Sequence, residues 1–457
     1  MRTTTLAGSP PAQTGLRREL GLASATAAVA GECIAVGIFL TPAGMAKSLG
    51  SPFWLLAVWI FMGVTTLSGA LCYGELAGRF PRAGGTYVYL QETFGRCVAF
   101  LYGWMCLLVL DPGLTAALAM GAASYAGYVL HSSPAVNKVS AFAVIWALCF
   151  LNIMSIRLSA GFLRWMTWLK FALLVLLTVW AGVFRLGSPS NFMPFVTQRP
   201  GSLPLIPALG AAMVGAFFSF GGWWDVSKIA EEVRDPSWTL PRALVLGVMA
   251  VTAVYILVSA VFLYLVPLQN VTSDETFVAQ AGAVLFGRAG GIVLAAIVIL
   301  CVLGSLAALI ISAPRVYYAM AKDGIFIPAF AKTHPHFHTP VNAILLQGTV
   351  ASLLLFLGTF QQVISYFMFA AIAFLGLAVA GLFGLRKKQP SPQNVVLAPA
   401  FPVTPTLFLV LVALLLVLLA VNRPLEAVLG VVVVLTGLPF YFVLRNRNQF
   451  THEVTEA

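Results

Sequence analysis

The stretch Gly31-Glu32-Cys33-Ile34-Ala35-Val36-Gly37-Ile38-Phe39-Leu40-Thr41-Pro42 lies inside a long apolar run near the start of the chain, and Phe218-Ser219-Phe220-Gly221-Gly222-Trp223-Trp224 lies inside another near its middle. Both place helix-weakening glycine at mid-membrane, so each predicts a spanning helix that breaks. An unwound turn frees backbone N–H groups at one half-helix end, where an anion is favoured, and C=O groups at the other, where a cation is favoured. A zwitterion satisfies both. Irregular backbone is tolerated at that depth only beside protein or a wet cavity, so a pair of breaks predicts a solvated binding site. Taken singly, either set of glycines reads as close helix packing by small residues. Their corresponding positions in the two halves of the chain favour the break.

The sequence around these stretches sets the class. Of 457 residues, 60% are hydrophobic and 9% charged, where a soluble domain has roughly a quarter charged, so lipid solvates most of the chain. At about 20 apolar residues per crossing, the length accommodates about twelve transmembrane helices in an all-α polytopic membrane protein. They are expected near 20–47, 53–79, 93–130, 139–157, 162–185, 204–233, 240–266, 284–321, 340–358, 361–385, 403–421 and 424–444. Residues 20–385 are expected to form a ten-helix functional body. If each half is a five-helix repeat, over about 20–185 and 204–385, the broken helices, the first and the sixth, open the two repeats, the sequence pointer to a transport core. The Pro-rich polar segment 386–402, RKKQPSPQNVVLAPAFP, reads as a cytoplasmic hinge before two peripheral helices at 403–444. Residues 1–19 and 445–457 are tails.

The formal net charge of +11 does not point to nucleic acid, because Lys and Arg are scattered at the ends of apolar runs and form no stripe. Walking them through the crossings from an inside N-terminus puts about three times as many inside as outside, which predicts a multi-pass protein of the plasma (inner) membrane with both ends cytoplasmic. Residues 1–19 carry no apolar core of signal-peptide length. The six cysteines, Cys33, Cys72, Cys97, Cys106, Cys149 and Cys301, lack metal or redox spacing and read as small apolar packing residues. None falls in an expected outer loop, so no disulfide-linked heavy subunit is expected. The run His334-Pro335-His336-Phe337-His338 reads as solvated loop. No phosphate-binding Gly-rich loop, no cofactor motif and no catalytic constellation is visible, which argues against an ATP-driven pump and against an enzyme.

These stretches, with three further blocks, resemble the amino acid, polyamine and organocation superfamily, most closely its L-type amino acid transporter branch. The blocks are Tyr73-Gly74-Glu75-Leu76 with Pro81, Gly84-Gly85, Tyr87, Tyr89-Leu90 and Gly95; Ala230-Glu231-Glu232-Val233-Arg234-Asp235-Pro236 with Leu240-Pro241-Arg242; and Pro314-Arg315-Val316-Tyr317-Tyr318-Ala319-Met320-Ala321-Lys322-Asp323-Gly324. The resemblance implies a five-plus-five inverted repeat and a sodium-independent amino acid transporter, an exchanger or proton-coupled, working by alternating access on neutral L-amino acids. It implies that the substrate carboxylate meets amides around Ala35, Val36, Gly37 and Ile38, that the ammonium meets carbonyls near Phe218, Ser219, Gly221 and Gly222, and that Phe220 lies over the substrate as a gate. Lys170 resembles the family's lysine at a sodium position.

Independently of resemblance, a lysine amid Trp168, Leu169 and Phe171 costs on the order of 3 kcal/mol on insertion scales and is a functional candidate, as a fixed cation or as a proton carrier. Snorkelling to the interface is the alternative. The family's Gly-Ser-Gly stands here as Ala35-Val36-Gly37, a bulkier loop. Acids at membrane depth are a further departure: Glu32, Asp111 and Asp225, with Lys228 three residues after Asp225. Asp225 and Lys228 suit an ion pair. Glu32 suits pairing with Lys170 or Lys228, a coupling proton, or contact with a cationic substrate, and Asp111 suits the cavity wall or a cap beside Pro112. A polyamine or organic cation carrier, and a membrane amino-acid sensor that does not transport, remain the competing functions.

Overall fold

A computed structural model of the chain describes residues 16–35, 37–268, 271, 281–357, 360–388 and 395–444, and every long element among them is helical. The chain opens with α1 (Leu22–Cys33) and α2 (Gly37–Leu49), bent by 51° to each other, followed by α3 (Pro52–Arg79) and the short α4 (Thr86–Phe94). The third crossing is α5 (Arg96–Met105), a π-helical turn at Cys106–Leu110 and α6 (Asp111–Leu130). Next come α7 (Pro134–Met154), α8 (Ile156–Val183), and α9 (Leu205–Phe220), which continues after Gly221 and Gly222 as a 3-10 helix over Trp223–Glu232. The second half holds α10 (Pro236–Leu265), α11 (Gly290–Ser312), α12 (Pro314–Lys322), α13 (Val341–Leu357), α14 (Phe360–Lys388), α15 (Val403–Asn422) and α16 (Pro424–Leu435).

Helix boundaries follow local chemistry. Ser51, Ser133 and Ser155 each cap the following helix by accepting a backbone N–H, the first two with proline at the first helical position. Pro112 cannot donate an N–H, and the π-turn just before it takes up the mismatch in the hydrogen-bond ladder.

Polarity is arranged for lipid. On α8, Trp165, Trp168, Leu176, Val179 and Val183 face outward, while Lys170 on the same helix is fully buried. Among the described residues ten helices are long and apolar enough to cross a membrane, eleven if α1 and α2 are one span. The count of twelve is therefore not reached on length and composition: α13, at the place of the expected ninth crossing, has 17 residues, about 25 Å of helix.

The core joins the two halves. Tyr255 of α10 packs edge-on against Trp59 of α3 and Phe220 of α9, each with centroids 5.1 Å away. The last two helices pack on this body: Phe408 of α15 lies against Trp223 at 6.0 Å, and Trp104 of α5 stacks on Phe440 at 4.5 Å. The expected hinge at 386–402 differs from the structure. Arg386 still belongs to α14, and Glu75, fully buried at the end of α3, holds Arg79, Arg386 and the Ala398 backbone N–H. A carboxylate with that many donors fastens the segment to the core; residues 389–394 lie outside the described residues.

Candidate functional site

The break in the first span has a definite origin. The amide of Ala35 bonds back to Cys33 O at 2.8 Å, so Gly31 O loses the partner it would have had in a continuing helix. Lys170 takes its place. Its Nζ donates to Gly31 O (2.7 Å), Ile34 O (2.7 Å) and Ser305 Oγ (3.0 Å), three acceptors for three ammonium protons. Ser305 Oγ sits 2.6 Å from Gly31 O in turn. The ammonium thus sits on the negative end of α1 and ties it to α8 and α11. Gly304 provides the room, since a Cβ there would lie 2.6 Å from Lys170 Cε. Lys170 is fully buried, so it does not snorkel.

The second break, at Gly221 and Gly222, meets the first. Gly222 has φ +102°, which L side chains rarely adopt. The Tyr255 hydroxyl lies 2.7 Å from Cys33 O and 2.6 Å from Ser219 O, joining the carbonyl ends of both interrupted helices, while Cys33 Sγ approaches Phe220 O at 3.3 Å. On the far side of the breaks, Ser219 Oγ donates to Thr41 Oγ1 at 2.7 Å, and a Cβ on Gly37 would come within 3.0 Å of Ser219 Cα. Glycine is what lets α2 approach α9 so closely.

Between the breaks lies a cavity of about 90 Å3. Ala35 and Gly37 line it at the amide end of α2, and Phe218, Ser219, Gly221 and Gly222 line it at the carbonyl end of α9. Leu110, Leu114 and Leu118 of the third crossing and Ile372 and Leu375 of α14 make an apolar wall. Val36 lies outside the described residues. Ile38 and Phe220 are placed differently from expectation: neither lines the cavity, and both are buried behind it, Phe220 against Trp59 and Tyr255. Edge-on aromatic packing in the core holds the Phe220 ring there, and Phe217, Phe218 and Trp224 are the aromatic residues on the cavity.

The membrane acids converge. Asp111 at the start of α6 and Asp225 in the 3-10 segment flank Lys228, whose Nζ is 2.9 Å from Asp111 Oδ1 and 3.0 Å from Asp225 Oδ1. Glu32 packs its stem on Gly222, where a Cβ would come within 2.6 Å of Glu32 Cγ, and turns its carboxyl to Asp225. Neither lysine forms a salt bridge with Glu32 in this structure.

The face that carries the N-terminal end of α1 is shut beneath this cluster. Glu19 and Leu20 amides bond to Glu232 O, Arg315 meets the Glu232 carboxylate at 2.9 Å, Lys322 meets Glu231 at 3.0 Å, and Gly84 N bonds to Lys228 O. Tyr87 donates to Asp323 at 2.9 Å. Burial, and after it Asp323, pushes that phenol above its usual range, so it remains a donor at any physiological pH. Arg234 and Asp235 serve the backbone: the Arg234 amide bonds to Leu20 O and Asp235 O accepts from Thr239 N. His334 Nδ1 accepts from the amides of His336 and Phe337, so the histidine run folds as a turn.

Sequence reasoning missed Tyr255 and Ser305. Neither is the only hydroxyl residue in its long apolar helix, so nothing in the sequence set it apart.

Comparison with known proteins places the chain in a family. The family model described as amino acid permease matches residues 20–443. The chain is 28% identical to the human cystine/glutamate transporter, with 95% of this chain and 87% of that protein covered. It is 27% identical to the serine/threonine exchanger SteT of Bacillus subtilis (strain 168), covering 95% and 98%. It is 29% identical to the large neutral amino acids transporter small subunit 2 of Rattus norvegicus, covering 94% and 81%.

Proposed function

The chain belongs to the amino acid permease family, and from that premise we propose that it moves L-α-amino acids across the plasma membrane without sodium, by exchange or proton coupling. It is a transporter of amino acids and not an enzyme. The observation that carries the sodium-independent reading is the Lys170 ammonium, which supplies a built-in positive charge to the acceptors Gly31 O, Ile34 O and Ser305 Oγ. The substrate carboxylate is assigned to the amide end of α2 and its ammonium to the carbonyl end of α9, where each carbonyl retains a second lone pair. Rocking of the two broken helices against the rest, in a five-plus-five inverted repeat, alternates access. The closed N-terminal face is the cytoplasmic one, and both chain ends are cytoplasmic.

A serine/threonine exchanger and a large neutral amino acids transporter among the relatives support neutral amino acids as a substrate class. The chain is proposed to act without a disulfide-linked partner: five of its six free cysteines are buried and Cys97 is half-buried. An organic cation carrier is the second reading, favoured by the three carboxyls on the cavity.

The test is counterflow in sodium-free proteoliposomes preloaded with mixed amino acids. Labelled amino acid is expected to accumulate, and Lys170→Ala to reduce it about tenfold or more, since it leaves Gly31 O and Ile34 O with the single Ser305 hydroxyl proton between them, at about 1–3 kcal/mol for the carbonyl left without a donor. Strict sodium dependence would overturn the reading. Uptake of putrescine with no amino acid uptake would replace it with the cation carrier.

A further inference from the structure

We propose that Glu32, Asp111 and Asp225 form a side-chain subsite for a cation, and that the preferred substrates are α-amino acids whose side chain is an apolar stem ending in an ammonium or guanidinium. This rests on the amino acid transport proposed above and narrows its substrate class away from purely neutral side chains.

All three carboxyls line the cavity, whereas Lys228, the cation that pairs with two of them, does not. The ligand-facing wall is therefore acidic, with its compensating ammonium set behind it. Lys228 serves Asp111 and Asp225 and forms no salt bridge with Glu32, so the wall holds more carboxyl acceptors than its one ammonium answers, and in a site walled by lipid-solvated helices a positive group from outside would complete it. Asp111 supplies the second observation. It lines the cavity and is fully buried; its Oδ1 is taken by Lys228, and its Oδ2 has no hydrogen-bond partner. A leucine side chain would leave that oxygen as it is. A terminal ammonium or guanidinium would satisfy it and cancel charge in the same contact.

The remaining wall suits the stem of such a side chain. Leu110 and Leu114 flank Asp111 in sequence, and Leu118 and Ile372 extend the same apolar surface, against which methylene groups pack while the charged head reaches the carboxyls. A substrate with an acidic side chain meets like charge and is excluded.

The experiment is competition binding to the full chain in nanodiscs, with L-lysine, L-leucine, L-glutamate and putrescine as probes, on wild type, Asp111→Asn and Glu32→Gln, alongside melting curves. L-lysine is expected to bind at least about tenfold more tightly than L-leucine, L-glutamate not to compete, and the lysine-to-leucine ratio to collapse in either variant that keeps a folded melting transition. Should Asp111→Asn not fold, Glu32→Gln carries the comparison. Leucine binding as tightly as lysine in the wild type overturns the inference. So does a lysine preference that both folded variants retain, since the selectivity then arises elsewhere. Putrescine binding that depends on the carboxyls, with no amino acid bound, keeps the subsite and overturns the amino acid reading instead.

Discussion

At the scale of single residues, two buried polar side chains do what the broken backbone cannot do for itself. Lys170 satisfies the carbonyls that α1 leaves behind, and Tyr255 joins Cys33 O to Ser219 O. Tyr255→Phe keeps the ring packing on Trp59 and Phe220 but removes the hydroxyl. It is expected to cost about 2 kcal/mol of stability, the penalty for an unsatisfied buried acceptor, visible as a lower melting temperature and slower exchange. An unchanged melting curve and rate would show that water or a backbone shift replaces the hydroxyl. Lys170 was legible in the sequence because a charge amid apolar residues announces itself. Ser305 and Tyr255 were not, because serine and tyrosine are tolerated in membrane helices and only three-dimensional proximity to the break reveals their use.

At the scale of elements, the two glycine-bearing breaks were readable from spacing alone, and both are present. What spacing did not give was the identity of the residues turned toward the cavity. Phe220 follows Ser219 directly, yet the rotation of α9 at its last turn buries Phe220 and presents Phe218. Periodicity gives a helix face only while the helix continues, and here it stops. The π-turn ahead of Pro112 was likewise silent in the sequence, although it sets the direction of Asp111. Gly222→Ala tests the break. A non-glycine residue at φ +102° costs about 1–2 kcal/mol in backbone strain, and its Cβ would meet Glu32 Cγ at 2.6 Å. Weaker substrate binding with a lowered melting temperature is expected. Wild-type binding would mean that the segment relaxes and that its geometry is not part of the site.

At the scale of the whole molecule, the permease is closed at its N-terminal face by bonds that cross between segments far apart in sequence. The buried Arg315–Glu232 pair is the strongest candidate for the latch, because removing one partner strands a buried charge at a cost of about 3–5 kcal/mol. Arg315→Ala is therefore expected to bias the protein toward opening at that face. The check is the labelling rate of an Ala319→Cys probe, beside the gap lined by Glu231 and Lys322, with a membrane-impermeant maleimide. Faster labelling is expected; an unchanged rate would remove this pair from the gate. The Tyr87–Asp323 bond, held by a neutral donor, is expected to contribute equally from about pH 5 to 9. The charges of Glu231, Glu232 and Arg315 stand in the sequence, but their pairing does not, since the partners lie about eighty to ninety residues apart and Arg234, next to them, reaches the Arg18 carbonyl instead. Glu75 and its donors lay across three separate stretches and so read as hinge and helix ends, where the structure has a fastening point.

The most direct measurement is sodium-free counterflow of labelled amino acids into preloaded proteoliposomes, with the wild type and Lys170→Ala side by side. The structure predicts accumulation in the wild type and loss of at least about tenfold in the variant, because the charge that stands between α1 and α11 is then gone. Undiminished counterflow in Lys170→Ala would contradict the account at its centre, for the break would then need no fixed cation.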